Sequence, residues 1–314
     1  MSTRTLASVV FAAALFATGA AQGALFRAYL ASDGSDVNPC TLASPCRLLP
    51  AALAAVNSGG EIWMLDSANY NTGTVSITKS VSILAIPGAV GSIVSVGGGP
   101  GLSIATGGIN VTLRNLVIVP QAGGSAGTHG IEMTGASSLT VEASRIANAA
   151  ADGIHVVGTG LLRVSDTSLL NNASWGISLQ NGARGVVSNS RIVGDGYGGL
   201  VAYSSAPTLT TLHVADSLIS VSTYGVQAVT SDWDAASARV SVIRSTLQRN
   251  GTALASNRIN LAGTTELTVS GSSIVDNDSL YYQAGPNSTL LTLGNNHMSG
   301  NGGGSGTMGT AALQ

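Results

Sequence analysis

The chain has 314 residues, of which only 9% are charged and 41 are glycine, whereas roughly a quarter of the residues in an ordinary globular protein are charged. Few charges and many turn-forming residues disfavour a helical protein and favour an all-β chain. The formal net charge of −2 and the single lysine, Lys79, exclude a basic stripe that could neutralise a run of phosphates, so we expect no nucleic-acid partner.

The N-terminus has the pattern of a secretory signal peptide. Arg4 precedes an apolar run over residues 6–17, and small residues follow it up to Ala24. A membrane anchor is disfavoured because this run is shorter than the ~20 residues that span a bilayer. We therefore predict a signal peptide over residues 1–21, a chain secreted to the periplasm or the outside of the cell, and a mature chain without a membrane span.

Two cysteines follow, Cys40 and Cys46, in the loop CTLASPC. In an exported chain such a pair favours a disulfide. A zinc site is disfavoured because no histidine lies near these two thiols. The expected disulfide closes a small loop and carries no chemistry.

One segment of the mature chain predicts a helix. The alanine-rich and leucine-rich stretch 48–56 ends at Gly59, between strands predicted over 26–31 and 61–66. A solenoid needs a cap over its first open turn, because an exposed strand edge invites aggregation. We assign residues 22–72 to an N-terminal unit of strand, disulfide loop and capping helix.

A degenerate repeat occupies the rest of the chain, most plainly as SLTVEASRI at 138–146. The aliphatic residue before the turn recurs at steps of 23 to 28 residues, at Leu113, Val141, Val164, Val187, Val214, Val242, Val269 and Leu293. A period of this size is typical of a solenoid. We predict a parallel β-helix of about nine turns over residues 73–300, followed by a flexible Gly/Ser-rich tail over 301–314.

The segments YLASDGSDVNPC, PCRLLPAALAAV, GGEIWMLDSANY and VSITKSVSIL, with the repeat after them, resemble secreted bacterial right-handed parallel β-helix proteins of the pectate-lyase-like superfamily. The resemblance covers nearly all of the mature chain, but its motifs describe architecture. It implies a right-handed parallel β-helix that acts on acidic or neutral polysaccharides. Many members of the superfamily have no evident activity, so the resemblance gives only an analogy for function.

The repeat also predicts a buried ladder. Val141 and Ile146 cannot share one face of a straight strand, because their separation is odd, so a bend must intervene. The bend falls at Asn115, Ala143, Asp166, Asn189, Asp216, Arg244, Gly271 and Asn295. The hydroxyl residues after it then point inward and satisfy one another: Ser144, Thr167, Ser190, Ser217, Ser245 and Ser272. We interpret these hydroxyls as structural and none as a nucleophile.

A second strand, GIEM at 130–133 and GIHV at 153–156, turns Glu132 and His155 outward as lateral neighbours. The position before its glycine forms a column with His129, Asp152 and Trp175. Glu132, His155, Asp152 and His129 are therefore the candidate catalytic residues, as a general base with its orienting carboxylate or as ligands of a divalent metal. The cofactor stays open, with Ca²⁺ as one candidate. The alternative is a polar surface without chemistry.

Candidate substrate-binding residues lie on the same face. The resemblance places a substrate groove along this strand, where Trp175, Tyr203 and Tyr224 offer flat apolar surfaces to sugar rings and Ser178 points outward. The alternative is that Trp175 and Tyr224 pack beneath connecting loops. The predicted partner is a polysaccharide or a cell-surface glycan, bound by a monomer.

Several enzyme mechanisms are disfavoured because the residues that they require are missing or wrongly placed. The only lysine lies far from the middle turns, and the paired-aspartate and Asp-Pro-His segments of related hydrolases and epimerases are missing. Two hypotheses remain. One is an exported protein that binds polysaccharide and cleaves or modifies it with a lyase, hydrolase or epimerase-like activity. The other is a non-catalytic surface or matrix protein with a structural or adhesive role.

Overall fold

The computed structural model describes residues 25–121, 127–232, 234–259 and 263–311. The predicted signal peptide over 1–21 lies outside these ranges. Within them, the chain winds through about ten turns of a parallel β-solenoid with three sheets, close to the nine turns expected. Each turn contributes one strand to each sheet, so neighbouring strands of a sheet lie one turn apart in the sequence.

Three sheets run the length of the described solenoid. Sheet 1 contains β1 (Leu25–Leu30), β2 (Val56–Met64), β5 (Val81–Ala85), β8 (Asn110–Arg114), β11 (Ser138–Glu142), β14 (Leu161–Ser165), β17 (Arg184–Ser188), β20 (Leu209–Ala215), β23 (Ser237–Ile243), β26 (Thr264–Ser270), β29 (Ser288–Thr292) and β31 (Gly309–Thr310). Sheet 2 contains β3 (Ala68–Asn69), β6 (Gly91–Ser95), β9 (Leu116–Pro120), β12 (Arg145–Ala147), β15 (Ser168–Leu170), β18 (Arg191–Val193), β21 (Leu218–Ser220), β24 (Thr246–Gln248), β27 (Ser273–Val275) and β30 (His297–Ser299). Sheet 3 contains β4 (Val75–Ser76), β7 (Leu102–Ile104), β10 (Ile131–Met133), β13 (Ile154–Val157), β16 (Trp175–Gln180), β19 (Gly198–Ser204), β22 (Tyr224–Thr230), β25 (Thr252–Arg258) and β28 (Ser279–Ala284).

The strand register of sheet 1 follows the repeat. The predicted aliphatic positions pair directly from Leu113 through Val141 and onward to Val269. The last predicted step is wrong, because Val269 pairs with Thr292 and not with Leu293. The bend moves by one residue in the same turn. Its positive φ of 78° falls on Gly294, which has no Cβ to oppose that conformation, and not on Asn295.

The inward hydroxyls form the predicted ladder, with a different bonding pattern. All six side chains are buried. Five of the hydroxyls accept a hydrogen bond from the backbone N–H of the ladder residue one turn earlier, as Ser190 Oγ does from Thr167 at 3.3 Å. The first, Ser144 Oγ, accepts from the backbone N–H of Leu116 at 3.1 Å. Each hydroxyl also donates to the carbonyl two residues before it, as Ser190 does to Ser188 at 2.7 Å. The prediction that the hydroxyls satisfy one another was therefore wrong, because they satisfy backbone groups at the bend.

A second ladder, which the sequence analysis missed, lies at the turn from sheet 2 to sheet 3. Asparagine amides bridge successive turns there, so that Asn250 donates through N and Nδ2 to Asn277 Oδ1 at 2.9 and 3.0 Å. Asn277 makes the same pair of bonds to Asn301. Asn172 likewise donates twice to Asp195, the acid of this ladder. The ladder begins at the backbone N–H of Ala149, which donates to Asn172 Oδ1, so it includes the turns that lead into β13 and β16.

The helix α1 (Leu49–Ala55) lies at the N-terminal end of the solenoid. Pro50 stands in its first turn, where the missing N–H costs no hydrogen bond. Leu49, Ala52 and Leu53 are buried in the same apolar cluster as the strands. The predicted disulfide between Cys40 and Cys46 is present beside this helix.

The segment predicted to be a flexible tail begins against the last turn of the solenoid. Ser305 bridges to Tyr282, and β31 pairs with β29. The division of the chain into domains stays a prediction. Among the described helices, none has the length and apolar character that a membrane span requires.

Candidate functional site

The outer face of sheet 3 carries the candidate site. Strands β10, β13 and β16 bury Ile131, Ile154 and Ile177 in the core. Because strand side chains alternate, the residues one position later face outward. The register pairs Glu132 with His155, and His155 with Ser178. The strands therefore place Glu132 and His155 as lateral neighbours, as the sequence predicted.

A buried carboxylate lies at the centre of the site. Asp152 is only 5% exposed, and its Oδ2 lies 2.7 Å from His155 Nδ1 and 3.6 Å from His129 Nδ1. The two imidazole rings stack, with centroids 4.5 Å apart and planes inclined by 15°. Three of the four predicted catalytic residues thus form one cluster. His155 bonds to Asp152 and not to its lateral neighbour Glu132.

The hydrogen bonds assign the protons. The backbone N–H of Asp152 donates to His129 Nδ1 at 3.2 Å, so this nitrogen is an acceptor and His129 is neutral with its proton on Nε2. The backbone N–H of Trp175 donates to Asp152 Oδ1 at 3.0 Å. His155 Nδ1 faces a carboxylate and therefore donates, which leaves the lone pair of Nε2 as the basic atom of the cluster.

The environment supports these charge states. Burial lowers the pKa of His129, and the neighbouring His155 lowers it further, against the opposing charges of Asp152 and Glu132. Burial by itself would raise the pKa of Asp152, but hydrogen bonds from His155 and from the backbone of Trp175 hold that pKa below its usual value. An ionised Asp152 between two imidazoles is therefore the stable state at neutral pH.

The same three residues offer a ligand set for a metal ion. One ligand atom each from His129, Asp152 and His155 lies within 4.8 Å of the others. Two imidazole nitrogens and one carboxylate suit zinc and similar transition metals. They do not suit Ca²⁺, which takes six to eight oxygen ligands. Because the rings are stacked, their in-plane lone pairs do not converge on one point, and a metal would require one ring to rotate.

An aromatic pocket of about 210 Å³ lies on the same face, next to the cluster. All four predicted substrate-binding residues line it, namely Trp175, Ser178, Tyr203 and Tyr224. Tyr203 donates to or accepts from Ser231 at 2.6 Å, which fixes its hydroxyl. The pocket therefore combines flat apolar surfaces with polar groups at its edge.

Tyr197 is the main residue of this pocket that the sequence analysis missed. Its ring meets Trp175 edge-on at 5.2 Å and Tyr224 at 5.6 Å, so the three rings form a continuous surface. Gly198 leaves space for the Trp175 ring, because a Cβ there would overlap with the indole. The run GYGG at 196–199 was the available signal, since an aromatic residue among glycines stands before the outward strand.

Comparisons with known proteins agree with the architecture. The family model described as "Right handed beta helix region" matches residues 62–235. Among solved structures, pectate lyase Pel9A is similar with a TM-score of 0.63 and 16% identity, over 91% of this chain and 78% of that chain. XylC, solved with xylose, is similar with a TM-score of 0.57 and 9% identity, over 91% of this chain and 70% of that chain. At such identities the likeness shows the fold alone. The comparison with curated proteins finds no match.

Proposed function

Because the chain belongs to the family of right-handed β-helix proteins, we propose that it binds a polysaccharide along the outer face of sheet 3 and modifies it with His155 as a general base. The observation that carries this proposal is the 2.7 Å bond from His155 Nδ1 to Asp152 Oδ2, beside a pocket with three aromatic rings. Lyase, hydrolase and epimerase-like reactions all use such a base, which removes a proton from a sugar carbon or from water.

The geometry supports a separate role for each group of residues. Asp152 orients the imidazole of His155 and stabilises the imidazolium that forms when Nε2 takes a proton. The Trp175 and Tyr224 rings stack against sugar rings, and Gln180 donates or accepts at their hydroxyls. Ser178 is only 1% exposed and accepts from Gln180 Nε2 at 3.1 Å, so it holds the Gln180 amide in place. The outward strands lie about 4.8 Å apart, so successive sugars along the solenoid axis meet successive turns. The names of the two similar structures, a pectate lyase and a protein solved with xylose, support a carbohydrate ligand.

The disulfide between Cys40 and Cys46 supports a location outside the cytoplasm, in the periplasm or the extracellular space. The signal peptide and the monomeric state stay predictions.

A second candidate function is non-catalytic glycan binding. It is favoured by the polar cluster itself, in which both oxygens of Asp152 and Nδ1 of His129 already have hydrogen-bond partners. A cluster satisfied in this way also serves as a structural network that holds two turns together.

The test measures binding and turnover in the same proteins. Isothermal titration of a panel of acidic and neutral oligosaccharides is expected to give a ligand whose affinity falls at least tenfold in Trp175→Ala/Tyr224→Ala. The matched control is Tyr29→Ala/Trp63→Ala, an aromatic pair at the N-terminal end of sheet 1, which should bind normally. Equal loss in both variants would argue against a specific pocket.

Product formation is measured with the same ligand by mass spectrometry. We expect His155→Ala to lower turnover at least 100-fold and to leave binding within a few fold. His297→Ala, on sheet 2, is the control. Binding without turnover in the wild type would reject the catalytic proposal and leave glycan binding as the function.

A further inference from the structure

A second groove lies on the outer face of sheet 1, away from the candidate site. Its volume is about 410 Å³, and β14, β17 and β20 form its floor. Its lining includes the outward side chains of Leu161, Arg163, Arg184, Val186, Leu209 and His213. The register places Leu161 beside Arg184, and Arg163 beside Val186 and then His213. Two arginines and three aliphatic residues thus alternate over neighbouring strands.

The aliphatic residues of this groove are exposed. Leu161, Val186 and Leu209 are 43%, 46% and 39% exposed, although the neighbouring inward positions of the same strands are fully buried. A single exposed aliphatic residue needs no explanation, but a contiguous set in a groove marks an interaction surface.

The two arginines have no partner among the described residues. On the same face, Arg114 pairs with Glu142 and Arg239 with Glu266. The guanidinium groups of Arg163 and Arg184 have neither a hydrogen bond nor an ion pair within the described ranges of the chain. A guanidinium presents a planar fork of donors that matches a carboxylate, so two free ones on neighbouring strands favour an anionic ligand.

The groove continues along the solenoid axis. A second pocket of about 340 Å³ shares Leu209 with the first and extends over β23, β26 and β29. Asn287 and Thr289 line it together with Arg239 and Glu266, which form an ion pair at 3.4 Å. From β14 to β29 the two pockets span five steps between strands, or roughly 24 Å at about 4.8 Å a step. A path of this length suits an extended polymer better than a small molecule.

The residues around the groove indicate which kind of polymer it would bind. Several outward positions around the apolar patch are hydroxyl residues, including Thr140, Thr211, Ser237 and Ser241. A membrane-binding face would instead need a broad apolar surface with several basic residues around it. Free guanidinium groups, small aliphatic surfaces and many hydroxyls together suit a chain that carries carboxylates, ring faces and hydroxyl groups.

We infer that the sheet 1 groove is a second binding site, which holds a segment of an acidic polysaccharide. The guanidinium groups of Arg163 and Arg184 bind carboxylates of successive sugars. Leu161, Val186 and Leu209 contact the apolar faces of the sugar rings, and Thr211 and Asn287 bind hydroxyl groups. This site does not depend on the function proposed for sheet 3. A chain that binds on both faces would be held while the sheet 3 site acts on another segment.

The experiment titrates a galacturonate hexamer into the full chain, with the carboxyl-reduced galactose hexamer as the neutral ligand. Trp175→Ala/Tyr224→Ala is the background, so that the signal reports sheet 1. We expect the acidic hexamer to bind this background, more weakly as salt rises, and the neutral one to bind at least tenfold more weakly. Adding Arg163→Gln/Arg184→Gln should weaken acidic binding at least tenfold. The control, Arg145→Gln/Arg191→Gln, removes two exposed arginines of sheet 2 and should change binding less than twofold.

Three results would overturn the inference: no binding of the acidic hexamer to the background, equal affinities in the groove and control variants, or equal affinities for both hexamers. Vesicles with anionic lipid are tested in parallel. Vesicle binding that depends on Arg163 and Arg184, without hexamer binding, would reject the polysaccharide in favour of a lipid surface. The sheet 3 proposal has a separate test, because its variants are scored on turnover and on the pocket ligand.

Discussion

His155 Nδ1 lies 2.7 Å from Asp152 Oδ2, and the other oxygen of Asp152 accepts the backbone N–H of Trp175 at 3.0 Å. The carboxylate therefore joins the imidazole of one turn to the backbone of the next. Its position before Gly153 places it at the end of the turn and just ahead of β13. Orientation of His155 thus depends on the stacking of the solenoid as well as on one hydrogen bond.

Asp152→Asn should separate orientation from folding. The amide oxygen can still accept from Trp175, so we expect the fold to persist, whereas the amide NH₂ then faces His155 Nδ1 as a donor. The imidazole must accept there, which moves its proton to Nε2 and removes the basic lone pair. If the chain is catalytic, kcat should fall at least 100-fold and KM less than threefold. The ¹⁵N shifts of His155 report the change of tautomer without any substrate.

Asp166→Asn is the control, since Asp166 is an exposed acid at the bend after β14. It should leave both the tautomer of His155 and the rate unchanged. An unchanged tautomer in Asp152→Asn would mean that the carboxylate does not set the proton position.

Tyr197→Ala should weaken the pocket ligand three- to tenfold, because the variant removes the ring that joins Trp175 to Tyr224 and leaves both of them looser. Tyr197→Phe keeps the ring and should bind within twofold of the wild type. Titration of the oligosaccharide that the pocket binds measures both. If Tyr197→Phe loses as much affinity as Tyr197→Ala, the hydroxyl and not the ring surface makes the contact.

The sequence predicted those features of the structure that depend on the alternation of side chains along a strand and on the length of the repeat. Inward and outward positions of β10 and β13 and the pairing of Glu132 with His155 followed from a period of two within strands and of one turn between them. The bonds within the site did not follow, because they depend on rotamers. His155 turns toward Asp152, three residues earlier in the chain, and not toward its lateral neighbour. Tyr197 stands in a turn, where alternation makes no prediction, and its ring is placed by packing against Trp175 and Tyr224.

Ser190→Ala should destabilise the solenoid by about 1–3 kcal/mol, the usual cost of leaving a buried hydrogen-bonding group without its partner. The variant takes the acceptor from the backbone N–H of Thr167, which cannot reach water. Urea unfolding followed by circular dichroism measures the loss. Ser188→Ala is the control, since that side chain faces outward at the end of β17, two residues before Ser190, and it should change the free energy of unfolding by less than 0.5 kcal/mol. Equal effects would show that the ladder hydroxyls do not stabilise the fold.

Asp195→Asn should stabilise the protein at alkaline pH. Asp195 is 1% exposed, and its Oδ2 has no hydrogen-bond partner in the described part of the chain. Burial raises its pKa to about 7, against the two hydrogen bonds that Asn172 donates to it and with the help of the nearby charge of Asp152. Its neighbours in the amide ladder show that asparagine fits such a position, as Asn250 Nδ2 donates to Asn277 Oδ1 and to Ile219 O.

The sign of the pH dependence follows from the two pKa values of Asp195. Its pKa is ~3.9 in the unfolded chain and higher in the folded one, so between these values only the folded protein holds the proton. Wild-type stability therefore falls as pH rises from about 4 to about 7 and is constant above that, as far as this group determines it. Asp195→Asn removes this loss, and its advantage over the wild type should grow over the same interval, up to the order of 4 kcal/mol.

The measurement is the difference in unfolding free energy between Asp195→Asn and the wild type at pH 4, 5.5, 7 and 8.5, so that the other titrating groups cancel. Asn250→Asp supplies the matched opposite, because it puts a carboxyl at an equivalent buried rung of the ladder. Its stability relative to the wild type should fall with rising pH. A difference for Asp195→Asn that stays constant from pH 4 to 8.5 would contradict a raised pKa and would mean that the buried carboxyl titrates as it does in the unfolded chain.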